Sequence, residues 1–162
     1  MTDARERINR HATAIVIGST GIAFIGPPGA GKSECALACL RAAGTYGLFS
    51  RLIADDQIFV SAANGRIIAE TPQTIAGQIE VRGTGIARLP YISAAVIDFA
   101  VSLVRPDTAE RMPPVNQRWA VTKTRTLPQI NLTWPSPDPL SRLMAACPGL
   151  ETGQPAVPGL LV

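Results

Sequence analysis

The sequence predicts an α/β domain with a mixed, hairpin-rich sheet, and three observations predict it. Short β-branched and apolar runs recur in the first half of the chain, separated by turns rich in Gly, Asn and Asp. A glycine-rich octapeptide divides the second of these runs from a segment of helical periodicity. The chain has 162 residues, 46% of them hydrophobic, enough for one real core and too few for two large ones.

Residues 13–17 and 22–25 are apolar and β-branched and are joined by Gly-Ser-Thr-Gly, which predicts a hairpin. The octapeptide GPPGAGKS follows at 26–33. From 33 to about 43 the spacing is helical, with Gly44 as the stop. Leu52-Ile53-Ala54 predicts a short buried strand ending in Asp55-Asp56. A second hairpin is expected from 58–61 and 66–69, turning on Asn64-Gly65, because an Asn-Gly pair readily takes the two positive φ angles of a tight hairpin turn. Residues 72–77 predict a helical turn and 80–86 a Gly-containing loop. The apolar run 94–104 is helix or strand by periodicity alone. Beyond it, prolines bracket an irregular stretch, then a strand at 130–132 and a short helix at 138–147 are expected. The organisation predicted is one catalytic domain over 1–135, then a C-terminal helix and a poorly ordered Pro/Gly-rich tail over 136–162.

Composition excludes several classes. A net charge of +3 from scattered residues lacks the basic stripe of a nucleic-acid binder. No apolar run reaches the roughly 20 residues of a membrane-spanning helix. The N-terminal segment has mixed charge and a broken apolar run, so no signal peptide is read and the cytoplasm is the expected location. Three cysteines without CxxC spacing and one histidine, His11, predict free thiols rather than a zinc site.

The octapeptide matches G-x-x-x-x-G-K-[ST], and its setting between strand and helix is what phosphate binding needs. A polyphosphate is a dense anion, which such a loop wraps in backbone N–H groups at a helix N-terminus. Gly26, Gly29, Ala30, Gly31, Lys32 and Ser33 form the predicted nucleotide site. Pro27 and Pro28 have no N–H, so the donors come from Gly29 onward. Lys32 would reach the β/γ phosphates, and the Ser33 hydroxyl would hold Mg²⁺.

The doublet Asp55-Asp56 has the form of a metal-side aspartate at a strand end. Neighbours on a strand point to opposite faces, so one carboxylate can face metal and the other an acceptor. Alone, the doublet reads more readily as a strand-end turn with solvated acids. His11 alone is more often a surface or structural residue than a catalytic one. Glu80 and Arg82 fall on one side of an extended segment beside Gly83 and Gly85, as in a ligand-facing loop or an ordinary salt-bridged turn. Asp98 is assigned no role.

His11, the loop GPPGAGKSE, the doublet in LIADD and EVRGTGI, in that order, resemble the C-terminal catalytic domain of HPr kinase/phosphorylase over roughly residues 11–111. EVRGTGI is similar to that family's E-[IV]-R-G-x-G-I signature, which with the doublet separates it from other phosphate-loop proteins. The resemblance implies a P-loop kinase fold related to phosphoenolpyruvate carboxykinase. It also implies an ATP- and Mg²⁺-dependent serine kinase acting on HPr, the small phosphocarrier of the sugar phosphotransferase system, with phosphorylase activity and homo-oligomers as further family properties. Carried over, it implies Asp55 as the base, oriented by His11, and Ser33, Asp56 and Glu80 as the metal side. Arg82, Gly83 and Gly85 belong to the signature, and Glu110-Arg111 resembles the site of the family's catalytic arginine, which implies that role for Arg111. Compared with long members, a separate N-terminal domain is expected to be missing. The loop at 87–95 is shortened, and a Pro-rich stretch replaces the helical part that docks HPr. This compact form resembles the short versions of alphaproteobacteria. The competing expectation is an ATP/ADP-sensing module without phosphotransfer.

Overall fold

The structure is a computed structural model describing residues 6–153 and 157–159. The chain runs β1 (Ile8–Arg10), β2 (Thr13–Ile17), β3 (Thr20–Ile25), α1 (Lys32–Thr45), β4 (Ser50–Ala54), β5 (Ile58–Ala63), β6 (Arg66–Glu70), β7 (Gln78–Val81), β8 (Gly85–Arg88), β9 (Ala94–Ile97), β10 (Phe99–Val104), β11 (Arg118–Ala120), β12 (Thr126–Thr133) and α2 (Pro139–Ala146), with 3-10 turns at Gln73–Ile75 and Pro148–Thr152.

Six strands form the main sheet in the order β11-β12-β10-β3-β2-β4, and four form a second sheet, β1-β5-β6-β9. The main sheet is mixed, as expected: β10 runs parallel to β3 and β12, while the remaining pairs are antiparallel. Every residue of β2 is buried, because the sheet is covered on both faces. On one face Ile15, Ile22 and Phe24 pack with Cys35 and Cys39 of α1 and Leu140 and Leu143 of α2. On the other, Ala14, Val16 and Ala23 pack with Ile58, Val60, Ile67 and Ile97 of the second sheet. The three cysteines are free, as expected, and all three are buried.

Both expected hairpins form. The second turns on Asn64 (φ +51) and Gly65 (φ +73), the two positive angles that an Asn-Gly turn supplies. Three expectations are corrected. Gly44 does not end α1. The helix runs on to Thr45, where the Tyr46 amide still donates to the carbonyls of Ala42 and Ala43 and Gly47 takes the left-handed φ of +69. Residues 80–86 are not a loop: β7 and β8 pair Glu80 with Ile86 and Val81 with Gly85. The 94–104 run is two strands in different sheets, parted at Asp98.

That parting is built by a reciprocal clamp. The Asp98 amide donates to the Gly21 carbonyl at 2.8 Å, and the Gly21 amide donates to Asp98 Oδ2 at 2.9 Å. Gly21 is required there because a Cβ would overlap the Val96 carbonyl oxygen.

At the C-terminal end, Asp138 caps α2, its carboxylate accepting from the Ser141 amide and hydroxyl at 3.1 and 2.6 Å. Leu140, Leu143 and Leu150 are buried in the main core, and the Gly153 carbonyl accepts from the Ser19 hydroxyl at 2.9 Å. Residues 154–156 and 160–162 of the expected tail lie outside the described residues.

Two outcomes follow from the clamp. Gly21→Ala is expected to cost more than about 3 kcal/mol in urea unfolding, because backbone rather than a flexible side chain blocks the methyl. Burial raises the Asp98 carboxyl above its ordinary 3.8, against the lowering influence of the Gly21 amide and Arg66. The native state therefore binds the proton more tightly than the unfolded chain, and stability falls as pH rises from 3.8 through the raised native value. Asp98→Asn keeps the acceptor without the charge. Its stability relative to wild type should be highest at pH 7, decline as pH falls from the raised native value to 3.8, and level off below that, measured by denaturant midpoints at each pH.

Candidate active site

The main sheet delivers the loop from the end of β3 to the start of α1. The Ala30 amide donates to the Pro27 carbonyl at 3.1 Å, closing a turn. Gly31 then takes φ +96 as the N-cap residue of α1, and a Cβ there would collide with Cδ1 and Nε1 of Trp134. No side chain caps the first turn of α1, so its N–H groups and the helix dipole point toward the loop. Lys32 is buried, and its Nζ donates to the carbonyls of Gly26 and Pro27 at 3.0 and 3.2 Å. Burial pushes its pKa down from the usual lysine value, while Asp56 and Asp55 pull it back up.

The aspartate doublet sits at the end of β4, beside the start of β2. Asp55 is only 8% exposed. Its Oδ1 accepts from the hydroxyls of Ser33 at 2.6 Å and Thr13 at 2.9 Å, and its Oδ2 from the Glu80 amide at 2.9 Å. Asp56 turns away through a φ of +69, its amide held by the Thr13 hydroxyl oxygen at 3.2 Å. Its side chain is 60% exposed, and Oδ1 lies 3.3 Å from Nε2 of His11. The two carboxylates diverge, not by strand alternation, since both lie past the end of β4, but through the positive φ of Asp56. Asp55 lies with Ser33, and Asp56 stands beside His11.

A cleft of about 340 Å³ gathers most of the expected residues: His11, Gly29, Gly31, Lys32, Ser33, Asp56, Glu80 and Arg82. Gly26 contributes through the carbonyl that holds Lys32. Ala30 lines an adjoining cleft of about 770 Å³, together with Arg105, Asp107 and Trp134. Gly83 and Gly85 take φ +78 and +138 at the β7–β8 turn, with open space around each, so they shape the hairpin that carries Glu80 and Arg82. Arg111 is not brought to the loop. With Glu110 it lines a separate cleft of about 410 Å³, beside Thr133 and Arg142.

Thr13 is the residue that sequence reasoning missed. It is fully buried, donates to Asp55 and receives from Asp56. The signal was a lone hydroxyl opening an otherwise apolar buried strand.

The oxygens fit a hard divalent cation. Ser33 Oγ and Asp55 Oδ1 lie side by side, with the Glu80 carboxylate at the same cleft. Mg²⁺ is commonly held by one or two protein oxygens plus substrate phosphates. Among the described residues, no group of three His, Cys, Asp or Glu side chains could hold a metal alone.

Comparison with known proteins bears on this arrangement. The HPr Serine kinase C-terminal domain family matches residues 3–122. The HPr kinase/phosphorylase of Clostridium tetani is 33% identical over 90 residues, covering 54% of this chain and 28% of that protein. That of Latilactobacillus sakei is 30% identical over 119 residues, covering 73% and 34%. The chain thus spans 28% and 34% of the length of these two relatives. The solved Hpr(Ser) kinase/phosphatase of Coxiella burnetii has the same fold, with a TM-score of 0.65 at 24% identity over 78% of this chain and 85% of that one. No helix among the described residues is long and apolar enough to cross a membrane.

Thr13→Val removes the hydroxyl that serves both aspartates at nearly constant shape. It should cost about 1–3 kcal/mol in urea unfolding, since it strips a partner from a buried carboxylate and from an amide.

Proposed function

The chain belongs to the HPr serine kinase C-terminal domain family, and we propose that it is an ATP-dependent kinase that phosphorylates a serine of the phosphocarrier HPr in the cytoplasm. One observation carries the reading: the Asp56–His11 pair faces the same cleft as the loop lysine, while the second aspartate is tied to the loop serine. A nucleotide-binding module has no need of an exposed carboxylate held next to an imidazole at the phosphate loop. Phosphoryl transfer does, because the acceptor hydroxyl must be oriented and lose its proton.

In this reading the N–H groups of residues 29–33 and the Lys32 ammonium hold the triphosphate of ATP. Ser33, Asp55 and Glu80 are the groups that would hold Mg²⁺, whose chemistry is to neutralise phosphate charge. Asp56 accepts the hydroxyl proton, and His11 orients its carboxylate. Arg82 and Lys32 are the cations that face the transferring group. The chemistry asks little covalent work of the protein, so position and charge carry the acceleration.

Support for dividing the doublet in this way is physical. Asp55 is buried and tied to Thr13, Ser33 and the Glu80 amide, so it is less accessible to an incoming hydroxyl than Asp56. Asp56 is exposed and oriented by one neighbour.

The test is transfer from γ-labelled ATP to purified HPr, with HPr lacking its acceptor serine as control. Label on the serine is expected, and tight ATP binding without transfer would favour a sensor. Asp56→Asn should lower single-turnover transfer by about 10²–10⁴-fold, with ATP affinity nearly kept. Asp55→Asn should instead weaken Mg²⁺-dependent ATP binding, measured by calorimetry with and without the metal. The opposite pattern would return the base to Asp55.

A further inference from the structure

Two clefts adjoin the loop, and the kinase reading gives work to only one of them. Asp56, His11, Lys32 and Ser33 all lie on the 340 Å³ side. The 770 Å³ cleft shares Pro28, Gly29, Gly31, Glu34 and Arg82 with it and extends to Arg105, Asp107 and Trp134, which the smaller cleft does not reach. A nucleotide that presents its terminal phosphate to Asp56 must send its sugar and base the other way along the same loop. That direction leads into the larger cleft, whose volume lies in the range of small-ligand pockets.

The wall of that cleft contains Trp134, from just past the end of β12. Its amide is fixed by the Val104 carbonyl at 2.9 Å, and its ring is half-buried against the main core. The edge carrying Nε1 meets Gly31, leaving no room for a side chain at that position. Among the described residues the indole N–H has no hydrogen-bond partner. Across the rim, Arg105 and Asp107 are joined by two parallel hydrogen bonds of 3.2 and 3.1 Å. The cleft therefore offers an aromatic wall held rigid beside a phosphate loop, the setting in which a nucleobase or sugar gains contact that a bare polyphosphate does not.

We propose that the nucleoside half of the nucleotide occupies this second cleft and that Trp134 is the residue selecting a nucleotide over inorganic polyphosphate. The proposal rests on the kinase reading of the loop and adds to it a site and a specificity. Trp134 lies beyond the family match, which ends at residue 122, so the selectivity belongs to this chain's own C-terminal part.

The experiment compares ADP with inorganic tripolyphosphate by calorimetry, in wild type, Trp134→Leu and Trp134→Phe. Wild type should prefer ADP. Trp134→Leu should weaken ADP by about tenfold or more, the scale of one lost base–aromatic contact, and change tripolyphosphate by less than about twofold. Trp134→Phe should recover most of the ADP affinity, because the aromatic face is retained. Equal losses for both ligands would make Trp134 only a brace for Gly31 and overturn the proposal, and so would no loss for either. Wild type that binds neither ligand would sink the kinase reading itself, a distinct outcome. Should Trp134→Leu fail to fold, Trp119→Phe protein leaves Trp134 as the sole indole, since the chain has two. ADP should then shift its emission and tripolyphosphate should not. Equal responses to both would overturn the assignment.

Discussion

The carboxylate of Asp55 is the constraint on which the site depends. It is a buried anion, and such a group is tolerated only when its oxygens are matched by donors. The three donors come from three separate pieces of chain: Thr13 at the start of β2, Ser33 in the first turn of α1, and the Glu80 amide in β7. Satisfying one charge thus brings the central sheet, the phosphate loop and the β7–β8 hairpin to one point. The hairpin pairs with neither larger sheet, so this bond, with the buried Ile79 side chain, is what brings Glu80 and Arg82 to the loop.

The second sheet lets the main one be apolar on both faces. β2 can be all hydrophobic because β5, β6 and β9 cover the side that the helices do not. Asp98 is the device that permits this. It lets one apolar run serve both sheets, clamping the change of direction onto Gly21 with one bond each way. Its burial raises its pKa and so disfavours its charge, a local cost accepted for an abrupt switch between layers.

Much of this was legible in the sequence where a local cause sufficed. The Asn64-Gly65 turn, the loop between strand and helix, the buried strand before the doublet and the short helix expected at 138–147 each depend on residues close in sequence. What was not legible depends on partners far along the chain. Gly44 is an ordinary helix stop in isolation, but its helix continues because Cys35, Cys39 and Ala43 pack under the sheet and Gly47 supplies the positive φ. The hairpin at 78–88 was hidden because its glycines read as loop until Glu80 and Ile86 are seen to pair. In the doublet, alternation led to the expectation that the two acids diverge, whereas the structure parts them by a turn at Asp56 (φ +69) past the end of β4. Alternation could not say which would turn inward, because Ser33 lies 22 residues from Asp55, Thr13 lies 42 away and Glu80 25 away. Arg111 shows the same limit: its place in a separate cleft is set by the folding of the Pro-rich segment, which carries no periodic signal.

The loop's own bonding explains how so small a domain can meet the demands of a polyphosphate. Lys32 is not a free surface charge that must be collected when an anion arrives. Its side chain is mostly buried and its ammonium is held by two carbonyls of the loop it serves. A charge largely stripped of solvent interacts more strongly with a phosphate than a hydrated one, because little water remains to be displaced and the local dielectric is low. That arrangement would be unstable alone, and burial does lower the lysine's proton affinity. The two aspartates oppose the shift, so the acids beside the loop also help keep the cation charged. The doublet and the lysine therefore form one electrostatic unit: removing either acid would change the charge environment of the loop as well as the chemistry beside it.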